Sequence, residues 1–257
     1  MNKRVFFDES AFHRFWNEPI PSRHVLSHLL FQNRQLRRLV SESANFLGGA
    51  LLSDEFALFQ NGGIPLLERR TGPLIEEILV RPRLAATRGS EIVVRVTVHL
   101  SHIGLQETRR QYWSPPSRAP SLIAGLDIGA LEFPPRWIAW NLDEANDTKI
   151  ELVDWVRNLV LPWFDVFSQT RELRGKLFRG EISHIGLDTS LELVITEYGV
   201  EEGARFLNEC ILSDSNIGPL VREQAKRIMR AQDPDHRLSA PVSNLAAIAA
   251  CYRLIRR

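Results

Sequence analysis

The chain is poor in the features that settle function quickly. Its 257 residues contain two cysteines, Cys210 and Cys251. That excludes a disulfide-stapled scaffold and a thiolate-only metal cluster, and both thiols are expected to pack as small hydrophobes. No apolar run approaches the ~20 residues that a membrane span needs. Residues 1–10 lack the apolar core of a signal peptide, so a cytoplasmic protein without membrane contact is expected. An excess of one charge is missing too. Lys and Arg number 32 against 31 Asp and Glu, a net charge of +1, so no global field draws nucleic acid or an anionic surface. The phosphate cradles G-x-x-x-x-G-K-[ST] and G-x-G-x-x-G are both absent, and G-L-D-I-G at Gly125–Gly129 is neither. No cofactor is expected.

What is present is an ordinary globular composition, 44% hydrophobic and 25% charged. Four of the six tryptophans fall between Trp137 and Phe167, and the core is expected to build on that stretch. Arg136 to Leu142 reads as a strand with Ile138, Trp140 and Leu142 on its apolar face. Thr148 and Glu151 match a capping box for the helix that follows. That helix carries Val153, Val156, Val160, Phe164 and Phe167, with a second stripe through Leu152, Trp155, Leu159 and Trp163. Pro162 removes one N–H and clashes with the carbonyl of Asn158, which predicts a kink or two helices meeting. Core packing accounts for this aromatic cluster better than a ligand cage does.

Ahead of this segment, residues 1–21 form an aromatic lead segment. A helix is expected over 23–46, stopped by Gly48-Gly49. Strands follow at Glu55–Phe59, Ile64–Arg70 and Leu74–Val80, with Pro82 ending or following the third. The clearest strand is Glu91–Ser101. Ile92, Val94, Val96, Val98 and Leu100 share one face, while Val93, Arg95, Thr97 and His99 share the other. Short turns between these runs imply an antiparallel meander. Residues 103–135, rich in Pro, Ser, Gly and Arg, read as a long excursion and the first place to seek a binding surface. After Gly180 the pattern is helical to the end.

These signals give an α+β fold: an antiparallel meander sheet of about four or five strands packed by two main helices, about 23–46 and 148–178, with a C-terminal helical appendage. The domain reading is 1–21 lead segment, 22–180 α+β domain and 187–257 helical appendage. The order of helix, meander, tryptophan strand and proline-interrupted helix, with L-L-E-R-R-T at Leu66–Thr71 and L-P-W-F-D-V-F at Leu161–Phe167, resembles an uncharacterised family of bacterial α+β domains. The resemblance spans about residues 25–180. It implies a two-layer α+β fold and, because some relatives look immunity-like, a binding role; it implies no reaction.

Candidate chemistry is sparse. His24 and His28 share a helix face, but Val25 occupies the place of the glutamate in H-E-x-x-H, and no third ligand is near. His99 and His102 flank Ser101 without a local carboxylate or a G-x-S-x-G context. Glu76 and Glu77 point to opposite faces of one strand. Arg109, Arg110, Tyr112 and Trp113 combine guanidinium and aromatic groups in the excursion and are the candidate binding residues. Arg34, Arg37, Arg38 and Arg69-Arg70 add charge that solvated faces also explain. The reading favours a non-enzymatic cytoplasmic protein-interaction module with a protein partner, an immunity-type role being its narrower form. The alternatives are a hydrolase or metal-dependent enzyme using those histidines and, against the balanced charge, a nucleic-acid-binding protein.

Overall fold

A computed structural model describes residues 34–61, 64–84, 92–112, 121–132, 134–135, 140–141, 146–230 and 240–255. In chain order these form α1 (Arg34–Ala50), a 3-10 turn (Leu52–Asp54), β1 (Ala57–Asn61), β2 (Ile64–Thr71), β3 (Leu74–Leu84), β4 (Ile92–His102), α2 (Ile103–Arg110), β5 (Leu122–Asp127), a second 3-10 turn (Ile128–Leu131), β6 (Trp140–Asn141), α3 (Asn146–Trp155), a π turn (Val156–Val160), α4 (Leu161–Ser168), α5 (Thr170–Phe178), α6 (Leu187–Tyr198), α7 (Val200–Phe206), a second π turn (Leu207–Ile211), α8 (Gly218–Met229) and α9 (Ala240–Cys251). The expected lead segment 1–21, His24 and His28, Trp113 and Trp137 lie outside the described residues.

The chain divides into two compact units. The described residues up to Leu100, with Gly125–Phe167, form the first; Ser101–Ala124, with Ser168 onward, form the second. The division falls inside β4 and β5.

The fold is α+β, built on an antiparallel sheet in the order β1-β2-β3-β4-β5, with the short β6 also pairing β4. Register follows the sequence alternation. Leu67 sits opposite Ile78, and Arg69 opposite Glu76, so apolar pairs and one charged pair share a face. In the first unit, Leu67, Ile78, Val96, Val98 and Leu100 are buried, as are Val40, Ala44 and Leu47 from α1 and Val156, Val160 and Phe164 from the later helices. Each Val, Leu, Ile or Phe among them contributes roughly 1.5–3 kcal/mol of burial. Phe56 stacks against Phe164 with centroids 6.5 Å apart, and Trp163 meets Phe167 edge-on at 5.3 Å.

Several expectations are corrected here. Gly48-Gly49 does not stop α1, which runs to Ala50. A Cβ on Gly48 would come within 3.2 Å of Leu67 Cδ2, so this glycine serves the close approach of helix to sheet. β3 does not end at Pro82 but continues to Leu84. α3 begins at Asn146, which places Thr148 inside the first turn. The interruption caused by Pro162 takes the form of the π turn before it: the Leu161 N–H reaches Val156 O, and α4 then starts afresh.

The largest correction concerns residues 103–135. Instead of an irregular excursion they hold α2, β5 and a 3-10 turn. The apolar periodicity of α2 was hidden because two of its buried positions are Thr108 and Arg109. The G-L-D-I-G run ends β5 and opens the 3-10 turn, with Asp127 Oδ1 accepting the Gly129 N–H at 3.2 Å.

In the second unit the core comprises Leu105, Leu191, Val194, Phe206, Val221, Leu245 and Ile248, among others. α5 ends as expected at Gly180, whose φ of 66° closes a Schellman motif with the Glu181 N–H on Lys176 O at 2.9 Å. Cys210 and Cys251 are both free; Cys210 is half-buried, whereas Cys251 is exposed rather than packed.

Candidate functional site

In the second unit, α2 meets α6 through side chains that are almost all polar. Leu105, Thr108, Arg109 and Tyr112 follow a spacing of three and four and so share one face. Glu192 and Thr196 present the matching face of α6. Arg109 donates to Glu192 Oε2 from Nε at 2.9 Å and from Nη2 at 2.5 Å. Its Nη1 donates to Leu122 O at 2.7 Å. The Tyr112 hydroxyl donates to the other carboxylate oxygen of Glu192. Thr196 Oγ1 donates to Glu192 O at 2.8 Å, which leaves its lone pair for the Thr108 hydroxyl at 2.8 Å. Tyr252 Oη donates to Thr108 O at 3.0 Å. Burial pushes the Glu192 carboxyl above the usual range, and the Arg109 hydrogen bond and charge oppose this.

His102 begins the same interface. It caps α2, with Nδ1 accepting the Gly104 N–H at 3.0 Å. Since Nδ1 is an acceptor, the ring proton sits on Nε2, 2.6 Å from Glu197 Oε1, and is donated to it. Both ring nitrogens are thereby engaged. Gly104 allows the approach: a Cβ there would meet Thr196 Cγ2 at 2.8 Å.

A second polar group lies in the first unit, on the sheet face opposite the α1 core. His99 Nδ1 is 3.3 Å from Glu77 Oε2, and Arg95 Nε donates to Asp127 Oδ2 at 2.9 Å. Gly125 lies against the His99 ring, where a Cβ would meet Cδ2 at 3.0 Å. These side chains are half-buried rather than sealed. On the core face of the same sheet, Glu76 is fully buried beneath Arg69, whose Nε donates to its Oε2 at 2.5 Å. Arg69 also lies 3.5 Å from Asp165 and stacks over Phe56 at 4.9 Å.

The sequence-predicted binding residues therefore separate. Arg109 is buried in the α2–α6 network, Tyr112 joins it there, and Arg110 is exposed beside Glu107 at 3.5 Å. Trp113 lies outside the described residues. The arginines considered for nucleic acid have acidic neighbours: Arg38 with Glu42, Arg69 with Glu76 and Arg70 with Glu68. Among the described residues, no three His, Cys, Asp or Glu side chains gather as a metal would require. No described helix is long and apolar enough to cross a membrane.

Sequence reasoning missed Glu192 and Glu197, the carboxylates that partner Arg109 and His102, and weighed Glu77 only against Glu76, not as the partner of His99. Glu192 and Glu197 lie 83 and 95 residues from those partners. The signal that could have found Glu192 is its i, i+4 spacing with Thr196, which puts two polar groups on one face of α6.

Comparison with family models, curated proteins and solved structures finds no match to this chain.

Proposed function

We propose that this chain is a non-enzymatic protein-interaction module, with an immunity-type binding role as the narrower form of that reading. One observation carries it. The strongest chemical candidates, His102 and Arg109, are 3% and 4% exposed, and each is bonded to a carboxylate on α6. Groups so enclosed hold two helices together and offer nothing to a substrate. Some large apolar side chains are exposed as well, Leu52 and Phe59 in the first unit and Ile103 and Val200 in the second, and exposed apolar surface is a feature of recognition where such residues cluster. The test is affinity capture from native extract with the whole chain as bait. A stoichiometric protein partner supports the reading; empty capture across several salt conditions counts against it.

A hydrolase is the second reading, and it rests on His99. This imidazole is half-buried, is oriented by Glu77 and shares its sheet face with the Arg95–Asp127 pair. A histidine held by a carboxylate is the usual arrangement of a general base. A broad hydrolase screen decides it: turnover abolished by His99→Ala replaces the interaction reading, and no turnover with any ester, amide or phosphate substrate removes the enzyme.

A further inference from the structure

The outer edge of β1 turns unused backbone donors and acceptors away from the sheet. β1 is the terminal strand of the sheet and, among the described residues, pairs with β2 alone. Its register places Gln60 opposite Pro65, and proline has no N–H to give. Gln60↔Pro65 is therefore a non-hydrogen-bonded pair, and by alternation so is Leu58↔Leu67. In such pairs the N–H and C=O of each residue point away from the partner strand. Leu58 and Gln60 thus aim their backbone donors and acceptors outward, and nothing among the described residues bonds to them there. Phe59 stands between them, 49% exposed, with Leu58 at 38%.

An open edge of this kind is normally blunted by lysine, proline or a bulge. β1 reads Ala-Leu-Phe-Gln-Asn and has none of these. It is also uncharged, so a second identical strand meets no repulsion, whereas a charged edge would favour a partner of opposite sign. We infer that two copies of this chain associate through β1, antiparallel, about a two-fold axis at Phe59. In that arrangement Leu58 of each copy exchanges backbone bonds with Gln60 of the other. The two Phe59 residues then form the non-hydrogen-bonded pair on the axis, with Cα atoms about 4.5 Å apart. The exposed Leu52, on the turn leading into β1, adds apolar surface. One short strand per copy makes a small interface, so the dimer is concentration-dependent. This goes beyond the interaction reading, which concerns a different protein.

Sedimentation velocity of the whole chain over a concentration series tests it, together with two variants. Gln60→Pro deletes the outward N–H but leaves the β1–β2 ladder intact, and Phe59→Lys places like charges on the axis. Reversible dimers that become monomers in both variants, with unchanged circular dichroism, are the expected result. A Phe59→Cys variant with Cys210 and Cys251 replaced by Ser is expected to form an intermolecular disulfide on mild oxidation, because the spacing on the axis suits one. A wild-type chain that stays monomeric at every concentration overturns the pairing, as does a dimer that neither variant weakens. A monomer that still captures a foreign protein sinks the pairing and spares the interaction reading.

Discussion

Glu192 receives two hydrogen bonds from Arg109 on a single carboxylate oxygen, and the Tyr112 hydroxyl occupies the other. Both charged groups are buried, so each depends on its partner. Breaking a buried pair leaves an uncompensated charge and costs about 3–5 kcal/mol, whereas replacing both members with apolar groups is often neutral. Arg109→Met is therefore expected to destabilise the second unit by about 3–5 kcal/mol. Arg109→Met with Glu192→Met and Tyr112→Phe is expected to regain about half of that loss or more. Urea denaturation of the single and triple variants checks this, and additive losses would contradict it.

Gly104 lies where α2 comes closest to α6. A Cβ there meets Thr196 Cγ2 at 2.8 Å and His102 Cε1 at 3.0 Å. Neither can retreat freely, because Thr196 is bonded to Glu192 O and His102 to Glu197. Overpacking of this kind costs about 1–3 kcal/mol. Gly104→Ala is expected to lower the unfolding free energy by that amount, read in urea denaturation as a lower midpoint at unchanged slope. The prediction fails if the variant matches the wild type.

Gly48 and Gly49 are neighbours near the end of α1 with opposite surroundings. A Cβ at 48 meets Leu67 at 3.2 Å, while a Cβ at 49 has nothing within 4 Å. Alanine at 49 thus keeps only the entropic benefit, about 0.4–1 kcal/mol of stabilisation. Gly48→Ala is expected to lose that benefit to crowding against the sheet. Thermal unfolding of the two variants should rank Gly49→Ala above wild type and Gly48→Ala below Gly49→Ala.

The contrast between these glycines bears on how much the sequence reveals. Alternation at Ile92–Leu100 made β4 plain, because one sheet face is uniformly Val, Ile and Leu. The helical stripes of α8 and α9 were equally plain, and Gly180 ended α5 where sequence placed the stop. Tertiary packing decided the rest. Gly-Gly reads as a helix stop, yet Leu67, 19 positions on, makes Gly48 a packing glycine. α2 was missed because its buried face depends on a carboxylate 83 residues away. Arg109 and Tyr112 stand out in the sequence as candidate binding residues, but a sequence has no direction for a side chain, and both serve the α2–α6 interface.

Glu76 supplies the last test. It sits opposite Arg69 in the β2–β3 register, fully buried. Burial raises its carboxyl above the ordinary value of 4.5; the hydrogen bond and charge of Arg69 pull the other way, and Asp165 adds a smaller push upward. Within that raised range the folded chain holds a proton that the unfolded chain has lost. Stability contributed by Glu76 is therefore greatest on the acid side and falls as pH rises from 4.5 through the raised value. Glu76→Gln keeps the shape and cannot ionise. Urea denaturation followed by tryptophan fluorescence, which reports Trp163 in the same unit, is expected to show the variant gaining on the wild type as pH rises across that window. A constant difference, or one that shifts toward the wild type, would mean that Arg69 outweighs burial and that the carboxylate is the favoured form even in the core.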